Sequence, residues 1–208
     1  MSDTSFDINK LIAESKETLL NPKSYFSSMS LSGGFAEPVI KAAIYGTVAG
    51  IFLMIWSFLG WSAAGGMSFL GGAVGIMALI STIIASIIGV FIGGALMLVV
   101  SAICGGQTDF EANLRVAASL MALYPVSALL ACLNGISFFL GSLVSLIVSL
   151  YGIYLLYTAV IQALKGKESA AKIVLLVLIL LTMLGFFVGQ RGARMIDTYE
   201  PFNMEQLD

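Results

Sequence analysis

The chain has 208 residues, 59% of them hydrophobic and 11% charged, which is more apolar surface than one soluble domain of this size can enclose, so the surplus faces lipid. A formal net charge of -2 offers no basic field for nucleic acid. There is no histidine, and between Glu37 and Glu168 the only acids are Asp109 and Glu111; the usual catalytic dyads, nucleophile bases and metal clusters are therefore missing, and no enzyme, cofactor or metal site is expected.

Residues 1–38 form the one long polar tail. Its start, MSDTSFDINK, lacks the basic end and apolar run of a cleavable signal peptide, so the first span is expected to act as an uncleaved anchor. Ile8, Leu11, Ile12 and Leu19 recur at helical spacing against Asn9, Lys10, Glu14, Lys16 and Glu17, and Asn21-Pro22 is a stop signal. This predicts an amphipathic helix, followed by a short helix PKSYFSSM that opens on Pro22. The tail is expected either to lie on its own bundle or to serve as a partner-binding arm.

Five apolar runs follow, each long enough for a hydrocarbon core of about 30 Å. They fall near 39–61, 72–103, 114–133, 136–164 and 170–189, so the expected fold is all-α, a polytopic bundle of five transmembrane helices. The expected division is a cytoplasmic tail over 1–38, the membrane domain over 39–189 and an external tail over 190–208. Small residues mark packing seams on the first span (Ala43, Gly46, Gly50, Ser57, Gly60) and on the second (Gly75, Ala78, Thr82, Ser86, Gly89, Gly93). The length of the second predicts tilt or bending, at Gly89 or at Gly93-Gly94. Cys104 and Cys132 lie in apolar runs and read as small buried hydrophobes.

The stretch from Gly105 to Pro125, GGQTDFEANLRVAASLMALYP, is the charged island of the membrane domain. Thr108 and Glu111 have the spacing of a capping box, which starts a helix there and carries Tyr124-Pro125 to mid-depth. On the fourth span Ser142, Ser145, Ser149 and Gly152 line one face, and Tyr151, Tyr154, Thr158 and Gln162 the opposite one. The second face, with Tyr124, is either internal hydrogen bonding and interfacial anchoring or a polar groove for a headgroup or small solute. The third and fourth spans, joined by Asn134-Gly135, are expected to be antiparallel neighbours.

A cytoplasmic N-terminus puts Lys10, Lys16, Lys23, Lys41, Arg115, Lys165, Lys167 and Lys172 inside and leaves Arg191 and Arg194 outside, which sets the expected orientation. Arg191 and Arg194 make the fifth crossing the discordant one; a four-span alternative would need that run to re-enter.

The order of NPKSYF, GGFAEPVIKAAIY, the Gly105 to Pro125 segment and YGIYLLYTAVIQALKGKESAAKIVLLVLIL, with Tyr124-Pro125, Gly152, Tyr154 and Lys172 as its marks, resembles the Yip family of five-span membrane proteins, particularly its bacterial branch. The resemblance implies a five-helix bundle with a cytoplasmic N-terminus in a bacterial inner membrane, or in Golgi or endoplasmic reticulum membrane for a eukaryotic chain. Its eukaryotic members bind prenylated Rab GTPases and assemble with one another; their D-L-x-G-P motif before the first span is replaced here by Glu37-Pro38-Val39. Two functions are expected to compete. One is a non-enzymatic membrane-organising scaffold that docks a cytoplasmic protein, or forms homo- or hetero-oligomers, through Leu11, Ile12, Asp109, Glu111 and Arg115, with Asp109 or Glu111 in reach of Lys10 or Lys16. The other is an uncoupled channel or lipid scramblase that uses Tyr124, Tyr151, Tyr154, Thr158 and Gln162. Membrane lipid is a partner in either case, and nucleic acid in neither.

Overall fold

The computed structural model describes residues 7–61 and 71–199, and among these every regular element is helical. Helix α1 (Ile8–Leu20) is started by Asp7, whose carboxylate accepts from the Asn9 and Lys10 amides, and it stops at Asn21. Helix α2 (Pro22–Ser28) opens on Pro22, where the missing N–H costs nothing. Then come α3 (Ala36–Phe58), α4 (Gly71–Ile103), α5 (Phe110–Leu120), α6 (Leu123–Leu130), α7 (Leu133–Ile136), α8 (Phe138–Gln162) and α9 (Glu168–Tyr199). The stretches 36–58, 75–103, 110–136, 138–162 and 168–191 are long and apolar enough to cross a membrane. Exposed Ile80, Ile84 and Ile88 on α4 and Leu176, Leu180 and Leu184 on α9 make sense only against lipid. The protein is an integral membrane protein, with five candidate spans among the described residues.

Two details differ from the expected pattern. Thr108 does not start the third span. Asp109 does, accepting from the Ala112 amide at 2.9 Å, and Glu111 is turned away to another partner. Asp109 sits one residue closer to the first helical turn and its carboxylate is the stronger acceptor there. The third span is also not one helix. α5 ends at Leu120, and Pro125 falls in the first turn of α6, because a proline ring excludes the carbonyl four residues back, here that of Met121, from a continuous helix.

The ends of several helices are tied together. Gln107 N–H donates to Leu164 O and Lys167 N–H to Cys104 O, both at 2.8 Å, so the α4–α5 and α8–α9 turns lie side by side. Phe26 of α2 is buried in the same cluster as Met97, Cys104, Ala112, Val116, Val160 and Leu164. The tail therefore packs onto this end of the bundle. At the other end Trp56 Nε1 donates to Ala128 O at 2.9 Å, linking α3 to α6.

The α3–α4 seam closes where Gly46 meets Ser86 and Gly50 meets Leu79, and α4 meets α5 where Gly94 faces Leu114; a Cβ at Gly50 or Gly94 would lie 2.8 or 2.9 Å from its neighbour. Gly89, read from the sequence as part of that seam, faces open space. A register of Gly75, Ala78, Thr82 and Ser86 carries the contact as far as Val90, after which the buried line passes to Gly94 and Met97. The loop beginning at Ser62 and residues 200–208 lie outside the described residues, and α9 continues through the expected boundary at 189 to Tyr199.

Candidate docking site at the tail end of the bundle

Asp109 fixes the first turn of α5, and Asn113, fully buried, steadies the turn before it by donating to Gln107 O and Asp109 O at 3.0 and 2.7 Å. This sets Glu111 and Arg115 one helical turn apart on a single face of α5. Between them they grip the segment from Ser30 to Gly34. Glu111 Oε1 accepts from the Gly33 and Gly34 amides at 2.6 and 2.7 Å. Arg115 donates through Nε to Ser30 O at 2.9 Å and through Nη1 to Gly34 O at 3.2 Å. Gly33 has φ +137°, and a Cβ there would lie 3.2 Å from Arg115 Nη1; conformation and close approach both ask for glycine.

The remaining Arg115 amino group, Nη2, donates to Glu37 Oε2. The second Glu37 oxygen meets Lys41 Nζ at 2.9 Å, and Lys41 also meets Glu14 Oε2 at 2.6 Å. Lys41 and Arg115 side chains are 9% and 8% exposed, a depth at which each cation needs a carboxylate. Three more contacts hold the tail. Ser15 and Tyr45 hydroxyls lie 2.7 Å apart, and Tyr25 and Ser119 hydroxyls 2.9 Å apart. Tyr151 donates to Leu19 O.

These contacts redistribute the residues singled out in the sequence. Leu11 is buried with Tyr45 and Ala122, whereas Ile12 is 62% exposed. The bundle takes the face of α1 that carries Leu11, Ser15 and Thr18, and the predicted apolar stripe is split, with Leu11 and Leu19 turned in and Ile8 and Ile12 facing out, where Leu20 joins them. Asp109 and Glu111 do not meet Lys10 or Lys16: Asp109 caps its helix, Glu111 holds the loop, and Lys10 sits 3.8 Å from Glu14. Glu14, Glu37 and Lys41, central to the network, were not among the expected site residues; a lysine just inside the start of an apolar span was the available signal, since it demands a partner.

A model of the Yip1 domain matches residues 16–189. The chain belongs to the Yip1 domain family. No curated protein and no solved structure matches it. In this Yip1 domain the matched region starts inside α1 and takes in the whole of α2 to α8, so the grip of Glu111 and Arg115 on Ser30 to Gly34 lies within it.

The second candidate group is dispersed within the Yip1 domain. Tyr151 and Tyr154 rings lie 5.9 Å apart, with the Tyr151 hydroxyl taken by the tail and the Tyr154 side chain partly exposed. Thr158 is buried and donates to Tyr154 O of its own helix, and Gln162 O accepts from Lys165 Nζ. Tyr124 lines a different, apolar pocket of about 390 Å³ with Leu96, Met97, Leu120 and Ser127.

Proposed function

We propose that this Yip1-family protein is a non-enzymatic, membrane-organising scaffold with a cytoplasmic N-terminus, and that it docks a protein partner on the outward stripe of α1. The carrying observation is the way the tail is held. Its inner face is buried at Leu11 and Thr18 and linked through Ser15, Leu19 and Tyr25, while Ile8, Ile12 and Leu20 are left exposed with Lys16 and Glu17. A rigid helix that presents spaced apolar anchors is one side of a helix-in-groove contact. The skew of cations toward the tail side supports the orientation. The functional carboxylates Glu14, Glu37 and Glu111 are occupied in binding cations or amides, which supports the non-enzymatic reading.

A second reading, an uncoupled facilitator, is favoured by one observation. Ser142, Ser145 and Ser149 of α8 and Thr182 and Gln190 of α9 line a groove of about 260 Å³, so any polar path would follow the serine face of α8. Purified protein in liposomes, assayed for small-solute flux and for lipid flipping, separates the two. The scaffold reading expects neither activity above protein-free vesicles; flux that falls in a Ser145→Leu/Ser149→Leu variant would overturn it.

A further inference from the structure

The ion network borders a half-open chamber of about 360 Å³ between α1, α2, α3 and α5, lined by Lys10, Lys41 and Arg115 and by Glu14 and Glu37 among others. Three cations face two carboxylates there, so the lining has a surplus of one positive charge. The surplus lies with Lys10, whose side chain is 67% exposed and whose contact with Glu14 is long at 3.8 Å. Lys41 has three N–H donors and two carboxylate partners, and Arg115 has five donors and three acceptors. Both cations therefore keep unused donors at the wall of a space large enough for a small anionic group.

Depth says which kind of anion reaches it. Lys41 and Arg115 are each the sixth residue of their helices, about 7.5 Å below the helix start at 1.5 Å per residue. The interfacial region of a leaflet is about 5–7 Å thick outside the hydrocarbon core. Lys10 lies on the chamber-facing side of α1, one turn before Glu14. The chamber therefore sits within the first two turns of two apolar spans, at the tail-side end where the headgroups of a leaflet would border them.

From these observations we infer that the chamber is a binding site for a singly charged phosphodiester, that of a phospholipid headgroup, held by Lys10 together with the unused donors of Lys41 and Arg115. Glu14 and Glu37 stay on their cations and leave room for one negative charge, not two. The site is independent of the partner-docking reading, which uses the opposite face of α1.

The test uses the purified full-length chain in detergent, with native mass spectrometry to count retained lipid and thermal unfolding to report stabilisation. The probes are phosphatidylglycerol, phosphatidylcholine and soluble glycerophosphoglycerol, the deacylated and singly charged phosphodiester. Retention of one phosphatidylglycerol per chain in preference to phosphatidylcholine, weakened about tenfold in Lys10→Glu, supports the site. Lys10 is chosen because its side chain is mostly in solvent, so the variant should keep its helical circular dichroism. Equal retention of the two lipids, or undiminished phosphatidylglycerol binding by folded Lys10→Glu, overturns it. Stabilisation by glycerophosphoglycerol equal to that by the lipid overturns the lipid assignment and makes the ligand a soluble phosphodiester.

Discussion

Arg115 in α5 and Glu37 in the first turn of α3 form an ion pair that joins two membrane-spanning stretches at their tail-side ends. The same guanidinium holds Ser30 and Gly34, so one side chain links third span, first span and the connecting segment of the tail. Replacing Arg115 with Met should cost about 2–3 kcal/mol, below the range for a fully buried pair because Glu37 is a third exposed and keeps Lys41. Melting in detergent measures it. The double variant Glu37→Gln/Arg115→Met should lose less than the sum of the two single variants, since the partners share one interaction.

The α3–α4 seam makes a graded prediction. A leucine at Gly50 has to displace Leu79, and one at Gly46 overlaps Ser86, whereas one at Gly89 enters open space. Gly46→Leu and Gly50→Leu should each lower the detergent melting temperature well beyond any effect of Gly89→Leu, because lipid offers no compensation for packing lost between helices. Equal losses at all three positions would contradict the seam.

Hydroxyl contacts hold the tail in place. Tyr45→Phe and Tyr151→Phe each remove one hydrogen bond between tail and bundle, a loss of about 1 kcal/mol apiece. The expected result is faster protease cleavage within residues 8–28 in the double variant, with the melting of the membrane domain little changed. Unaltered cleavage would show that the tail is held by its apolar contacts alone.

Orientation is tested with single cysteines in a background where Cys104 and Cys132 are replaced. Ser27 is exposed on α2. A cysteine there should resist an impermeant thiol reagent applied to intact cells, and cysteines at Ser68 and Asn203 should react. Labelling at Ser27 inverts the topology; silence at Asn203 alone points to a re-entrant fifth run.

Much of the architecture was legible because lipid imposes it. Runs of twenty or more apolar residues have few structures open to them, and the five candidate spans lie close to where the hydropathy puts them. The interruption of the third span was readable in Pro125, though its place depends on which carbonyl the ring excludes. The site was legible in part. Asp109, Glu111 and Arg115 stand out as charges beside an apolar helix, but the capping expected of Thr108 with Glu111 falls to Asp109 and Glu111 holds the loop instead, since the choice between capping and gripping a loop depends on where residues 33 and 34 lie. The face of α1 that turns inward could not be read from apolar spacing. It is chosen by hydroxyl partners such as Tyr45 that lie 30 residues away from Ser15.

The central claim is that α1 is fixed on the bundle by one face and offers the other to a protein partner. Its most direct test is a photo-crosslinking amino acid placed in turn at Leu11 and at Ile12 in the full-length chain, in native membranes. At Leu11 the product should be an internal cross-link to α3 or α6, and at Ile12 a discrete adduct with a second protein, lost in an Ile8→Asp variant that still yields the internal product at Leu11. Intermolecular adducts at Leu11 as abundant as those at Ile12, or no protein adduct at Ile12, would contradict it.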